Sequence, residues 1–276
     1  MKKKYGIIGK PLSHSLSPTL HNYWLKKYSV NAEYLLLETN EEEIGNILNK
    51  IRLSEISGIN ITLPYKQKVI PFLDVLGENS AETKSVNTIW LEEKSKTLKG
   101  DNTDVFGLLA GYFKEIIGTK SQNIKALILG AGGVAPSVIY ALQKSHVKNI
   151  YLSNRTESKS IFLQKKFKSI KVLEWNEIKK SVEDFDIIVN ATSLGLKGGD
   201  NFDFLFNNCK SSLIYIDTIY NPSETKKIKE LNKKDIKTFN GLDMFLYQGQ
   251  KSFYLWHKIN PEIDDHLVNL LNTKIK

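Results

Sequence analysis

The chain has 276 residues, 41% of them hydrophobic and 25% charged, with a formal charge of +9. That is length enough for two ordinary domains, whereas no run of about 18 apolar residues offers a membrane span, and a single cysteine, Cys209, excludes an internal disulfide. Apart from Lys2 to Lys4, the 39 basic residues are scattered singly and in pairs, with Arg52 and Arg155 the only arginines, so the charge reads as solvated lysine faces rather than a nucleic-acid surface.

Lys2 to Lys4 run straight into a short apolar strand, KYGIIG, the pattern of a chain without a secretory leader. The cysteine usage fits a reducing cytoplasm. The strand leads into GKPLSHSLSP, Gly9 to Pro18. In an extended backbone, residues two apart share a side, so Ser15 and Ser17 would offer two hydroxyls to one ligand group while His14 points away. The alternative is a solvated turn rich in Ser and Pro. A helix is expected from about Ser17 through Lys27, then a strand at AEYLLLE, a helix near Glu41 to Ile51, and a strand at GINITLP. This alternation argues for an α/β layer built largely of parallel strands.

Gly100 to Lys120 reads as a turn followed by a helix, and the domain boundary belongs near its start. A second α/β series then runs through NIKALILG, KNIYLSN, DIIVNAT and SLIYIDT, and the segment from GLDMFLYQGQKSFYLWH onward reads as helical. Within this series, KALILGAGGVAPSVIYALQ is a buried strand, a glycine turn and an amphipathic helix. Gly130, Gly132 and Ala135 form a GxGxxA pattern: missing side chains permit a tight turn, close approach of a pyrophosphate and close helix packing. The loop from Gly130 through Ala131, Gly132, Gly133 and Val134 to Ala135 is therefore the candidate dinucleotide cradle, with helix-start amides facing the anion. Pro136 is tolerated in the first helical turn, where its missing amide would be unpaired. After the next strand stand Asn154, Arg155 and Thr156, with Lys159 close behind, where an NAD enzyme carries Asp or Glu. A guanidinium and an ammonium attract a 2′-phosphate, which favours NADP over NAD. The alternative for Arg155 is capping the helix start or pairing with Glu157.

Nine segments occur in one order: GKPLSHSLSP, NITLPYK, SVNT, GDNTD, GAGG, NRT, NATSLG, DTIYNPSET and GLDMFLYQGQKSFYLW. In this order, and over essentially the whole length, the chain resembles the shikimate dehydrogenase family, which reduces 3-dehydroshikimate with NADPH on the way to the aromatic amino acids. The resemblance implies that Ser15 and Ser17 bind the substrate carboxylate, and that Lys66 is catalytic with Asp104 as its partner. It further implies polar contacts to the ring from Thr62, Asn87 and Gln248, and Tyr220 near the carboxylate and nicotinamide. By the same resemblance Asn190, Thr192 and Ser193 pass beside the nicotinamide, and the Gly241 carbonyl approaches its amide. Lys159 stands where the family more often has arginine.

The expected architecture is two α/β domains: residues 1–104, completed by 243–276, for the substrate, and 105–242, Rossmann-type, for NADP. Catalysis is expected in a cleft between them that closes when both ligands bind. The expected partner is the small-molecule substrate, shikimate or 3-dehydroshikimate, with no nucleic acid, membrane or metal, and with a homodimer left open. The rival readings are an NAD-dependent quinate/shikimate dehydrogenase, a non-catalytic sensor of NADP or a shikimate-like acid, and, third, a nucleic-acid binder.

Overall fold

The computed structural model describes residues 2–118, 123–178, 182–206 and 208–275. Thr119 and Lys120, the end of the helix expected over Gly100 to Lys120, lie outside them, as do the terminal Met1 and Lys276 of the expected domains. The chain divides into two compact units, one running to Gly107 and taking in Leu246–Lys274, the other Leu108–Phe245. The first change of unit falls beside a π-helical turn, Leu109–Phe113; the second falls within the helix Leu242–His257.

The first unit holds β1 (Lys3–Gly9), β2 (Ala32–Glu38), β3 (Gly58–Ile61), β4 (Val75–Leu76), β5 (Thr88–Glu92) and β6 (Thr97–Asp101), in the order β2-β1-β3-β5-β6-β4. β1 is central and apolar from Tyr5 onward because it is buried on both faces. It pairs in parallel with β2 and β3. β3–β5 and β5–β6 are antiparallel, so the layer is less uniformly parallel than the sequence pattern argues. The missed strands are short, and TIWLE and TLKGD close into a tight hairpin rather than a helical crossover. The helix Ser17–Lys27 appears where expected, and the second helix, Ile44–Arg52, follows a short 3₁₀ turn at Glu41–Glu43. Helix Ser17–Lys27 is tied to the outer edge of β2 by Asn22, whose side chain exchanges two hydrogen bonds with the Tyr34 backbone, at 2.9 and 3.0 Å. The C-terminal segment returns to this helix: the Trp24 indole donates to the Glu262 carbonyl at 2.9 Å, and Lys27 and Tyr23 converge on Asp264.

The second unit is an all-parallel sheet of β7 (Lys125–Leu129), β8 (Asn149–Ser153), β9 (Ile170–Leu173), β10 (Ile187–Asn190), β11 (Ile214–Asp217) and β12 (Lys237–Phe239), in the order β12-β11-β10-β7-β8-β9. Counted from its own first strand this is 3-2-1-4-5-6 read from the β9 edge, the doubly wound order, whose connections leave in opposite directions between β7 and β10. β9 and β12 were invisible to periodicity because each is an edge strand of three or four residues.

His21, on the inner face of its helix, lies stacked on Tyr34 with ring centroids 4.3 Å apart and 5° between planes, with Trp24, Phe253 and Trp256 around it. Neither ring nitrogen has a hydrogen-bond partner among the described residues. Burial, and secondarily His257, pushes its pKa down from 6.5 to about 3. A group depressed on folding adds stability above its unfolded pKa and loses it as pH falls toward the folded value. The unfolding free energy should therefore decline between pH 6.5 and 4, and His21→Phe should flatten that decline in urea titrations; an unchanged slope would show that another group is responsible.

Candidate active site

In the first unit, strand direction collects the polar motifs at one edge. β1 and β3 are parallel neighbours, so the segments that follow them, Lys10 to Ser17 and Thr62 to Lys66, emerge together, and the Lys10 amide donates to the Leu63 carbonyl at 3.1 Å. β5 runs against β3 with Asn60 opposite Thr88, and β6 runs against β5 with Asp101 opposite Thr88. The start of β5, with Asn87 before it, and the end of β6, with Asn102 to Asp104 after it, thus share that same edge. Four motifs separated in sequence become neighbours because one strand, β5, runs against the others around it.

Lys66 and Asp104 meet there. Lys66 Nζ is 2.5 Å from Asp104 Oδ2, with the side chains 14% and 6% exposed. The other carboxylate oxygen, Oδ1, accepts from Asn87 Nδ2 at 2.8 Å. Asn87 Nδ2 also points to Gln248 Oε1 at 3.5 Å, so the amide on the long helix faces the same group. Thr62 lies in the turn after β3, where its carbonyl accepts from the Tyr65 amide at 3.0 Å and its methyl group limits Gly9 to a residue without a Cβ.

The serines reach one place by a different route from the one alternation suggests. Ser15 closes a turn, its amide donating to the Leu12 carbonyl at 2.9 Å, and Ser17 opens the helix. The Ser17 amide donates to Ser15 Oγ at 3.3 Å. Pro18 at the first turn forces this helix start, so the two serines are joined through a helix terminus and not through an extended strand, and the Ser17 side chain is buried and hydrogen-bonded with Tyr34. No acidic residue occupies that first turn and the N-cap residue, Leu16, makes no side-chain cap, so beyond the Ser15 hydroxyl its positive end favours an anion. His14 is exposed.

In the second unit, Gly130 follows β7 with φ +104°, and a Cβ there would stand 2.7 Å from the Thr192 methyl and 2.9 Å from the Ala191 carbonyl. The glycine turn therefore packs directly on the loop after β10, at the point where the strand order reverses. Gly132 differs: a Cβ there would meet nothing nearer than the Ala191 oxygen at 3.9 Å. Among the described residues, the amides of Gly132, Gly133 and Val134 donate to no backbone carbonyl. An open face lined with unused amides fits a pyrophosphate. Ala135 opens the buried helix Ala135–Lys144.

Asn154 Oδ1 accepts from the Ala131 amide at 3.1 Å, and its Nδ2 donates to the Thr156 carbonyl at 2.8 Å. It thus braces the glycine turn against the loop after β8. Arg155 and Lys159 are exposed, and Arg155 makes no ion pair with Glu157 among the described residues. Asn190 is wholly buried: its Nδ2 donates to Asp217 Oδ1 and the Leu194 carbonyl, and its Oδ1 accepts from Thr192 Oγ1 at 2.6 Å. Ser193 is exposed beyond it. Gly241 lies so close to the Thr218 carbonyl that no side chain fits, and its own carbonyl accepts from the Phe245 amide. Tyr220 stacks on Phe245 at 4.7 Å.

Sequence reading missed Asp217. It is buried and accepts from Asn190, the Ile219 amide, Thr225 and Tyr215. Burial, partly offset by those donors, pushes its pKa up to about 6. It joins the ends of β10 and β11 to the helix beginning at Lys226. An aspartate closing the apolar run SLIYI was the available signal, since a charge at that place needs partners.

Among the described residues no group of three or more His, Cys, Asp or Glu is placed to hold a metal ion, and no helix is long and apolar enough to cross a membrane.

A doubly wound sheet with a glycine turn at its reversal point, joined to a unit bearing a buried lysine–aspartate pair, defines a nicotinamide-dependent oxidoreductase. Residues 7–89 match the family model of the shikimate dehydrogenase substrate binding domain, and residues 113–242 that of shikimate / quinate 5-dehydrogenase. The chain is 46% identical over 275 residues to the shikimate dehydrogenase (NADP(+)) of Pelagibacter ubique, covering 99% of this chain and 100% of that one. It belongs to the shikimate dehydrogenase family of NADP-dependent oxidoreductases. The crystal structure of shikimate dehydrogenase from Aquifex aeolicus superposes with a TM-score of 0.87 at 34% identity, covering 100% and 98% of the two chains. A shikimate dehydrogenase in complex with NADP+ gives 0.90 at 30% identity, covering 100% and 96%. The Thermus thermophilus enzyme in complex with NADP(H) and shikimate gives 0.85 at 26%, covering 99% of each.

The two glycines separate folding from binding. Gly130→Ala should cost on the order of 2 kcal/mol or more in thermal or urea unfolding, since it adds both clash and strain. Gly132→Ala should keep the fold and weaken NADP binding at least about tenfold by fluorescence titration; wild-type affinity in Gly132→Ala would remove the pyrophosphate from this turn.

Proposed function

We propose that this chain interconverts 3-dehydroshikimate and shikimate with NADP, in the pathway to chorismate and the aromatic amino acids, using Lys66 as the acid–base group and Asp104 as its partner. The observation that carries the reading is the 2.5 Å contact between Lys66 and Asp104, with Asn87 on the other carboxylate oxygen and Gln248 facing Asn87. Reduction of a ketone builds negative charge on its oxygen, and an ammonium there both stabilises that charge and delivers the proton. In the oxidative direction the neutral amine takes the hydroxyl proton back. Bound NADPH supplies the hydride. Asp104 orients the amine and accepts from a ring hydroxyl; Asn87, Gln248 and Thr62 hold the ring; Ser15 and Ser17 donate to the carboxylate at a helix terminus that favours an anion.

In the second unit the Gly130–Ala135 turn holds the pyrophosphate, with Asn154 bracing it. Arg155, with Thr156 and Lys159 beside it, takes the 2′-phosphate. Thr192, Ser193, Tyr220 and Gly241 line the nicotinamide position, and Asn190 shapes their loop from beneath. The partner is the small acid rather than nucleic acid or membrane, the compartment is the cytoplasm, and a homodimer is compatible with these assignments.

The test is absorbance at the reduced-nicotinamide band on mixing pure protein, NADP and shikimate, with quinate and NAD as the crossed arms. A preference for NAD with quinate would reverse the assignment. Lys66→Ala should lower kcat by about 10²- to 10⁴-fold while largely keeping shikimate binding; equal turnover would refute that role for Lys66. Arg155→Ala should lower the NADP-to-NAD ratio of kcat/KM by about tenfold or more through KM for NADP, and an unchanged ratio would place the 2′-phosphate elsewhere.

A further inference from the structure

Behind the Lys66–Asp104 pair lies a buried cluster of neutral polar side chains: Tyr34, Asn60, Thr88, Thr103 and Ser252. They come from β2, β3, β5, the loop after β6 and the C-terminal helix. We propose that the Thr88 and Thr103 hydroxyls, with Asn60 and Ser252 behind them, are positioning residues that lock the Asn87 amide in the one orientation that donates to Asp104.

Proton counting carries this. The Thr103 backbone amide lies 2.7 Å from Asn87 Oδ1 and can only donate, so the atom facing it is an acceptor and Nδ2 is the atom on Asp104. Thr88 Oγ1 and Thr103 Oγ1, each 3.0 Å from the same oxygen, donate their single protons to it. With its proton spent, Thr88 Oγ1 can only accept from its other neighbours. Asn60 Nδ2 at 3.0 Å fills one of its lone pairs, and Ser252 Oγ lies 2.7 Å away, its single proton shared between Thr88 Oγ1 and the Gln248 carbonyl at 3.0 Å. Asn60 is oriented in turn, because its Nδ2 also donates to the Asn87 carbonyl at 3.0 Å and its Oδ1 accepts from the Tyr34 hydroxyl at 2.7 Å. Every bond in the series from Tyr34 through Asn60, Thr88 and Asn87 thus points toward Asp104, a carboxylate that can only accept. Such a one-way series polarises itself cooperatively. Ser252 sits one helical turn after Gln248, so the residue that completes the lock and the amide that meets Asn87 are borne by one helix.

The proposal rests on the reading of Lys66 and Asp104 as the reacting pair, and its test separates the two. Turnover of shikimate by the wild type tests the reaction. The lock is tested by Thr88→Val, nearly the same shape without the hydroxyl, beside Thr88→Ser, which keeps it. Thr88→Val should lower kcat about tenfold with KM for shikimate raised less than about threefold, and Thr88→Ser should restore most of the rate. Independently of activity, the Asn87 side-chain NH₂ signal, assigned by its loss in Asn87→Asp, should exchange with solvent faster in Thr88→Val than in the wild type or Thr88→Ser. Should Thr88→Val not fold, Ser252→Ala carries the same comparison, with a smaller loss in the same direction. Wild-type kcat and exchange in the folded variant, or equal damage from Val and Ser, would overturn the lock.

Discussion

The first unit depends on how one buried carboxylate is shared. Asp104 offers one oxygen to an ammonium and the other to an amide, in a place where water is largely excluded. Burying such a pair rarely adds net stability, because desolvating two charges offsets their attraction, whereas losing one partner leaves an uncompensated charge at a cost of about 3–5 kcal/mol. A pair of this kind is held in place by its surroundings. Here those surroundings are neutral hydroxyls and amides at the same sheet edge, and their hydrogen bonds leave Asp104 little freedom to turn.

Topology makes that arrangement possible. A purely parallel sheet would deliver each following loop to one edge through long crossovers. By reversing β5 against β3, and β6 against β5, the chain brings the start of one strand and the end of the next to the edge where β1 and β3 finish. The helix Leu242–His257 then adds Gln248 and Ser252 from more than a hundred residues away.

The second unit solves a different problem: positioning backbone amides and loops without much side-chain chemistry. Gly130 lets the turn after β7 lie against the loop after β10, and Asp217 gathers the ends of β10 and β11 around one carboxylate. Both are buried anchors, and the residues proposed to meet the cofactor, Gly132, Arg155 and Ser193, stand exposed beside them. Exposed contacts on a buried frame are the general form of a precise site.

Much of this was legible in the residues. The apolar runs of β1, β7, β10 and β11 announce buried strands because both of their faces are covered, and GAGG after a strand announces a turn that only small residues can make. Lys66 and Asp104 were legible only through resemblance, since a lysine after Pro-Tyr and an aspartate opening a helix look like ordinary surface residues. The short strands β4, β9 and β12 were not legible, because two to four residues carry too little periodicity to stand out. Nor was the route by which Ser15 and Ser17 become neighbours: alternation describes a strand, and Pro18 starts a helix instead. By itself the sequence determined which segments are buried and which turn must be glycine, for those follow from local chemistry. Only the tertiary structure decided which way each strand runs and so which polar groups meet, because a hydrogen bond between residues 87 and 104, or 88 and 252, is a property of strand direction and packing that no local window contains.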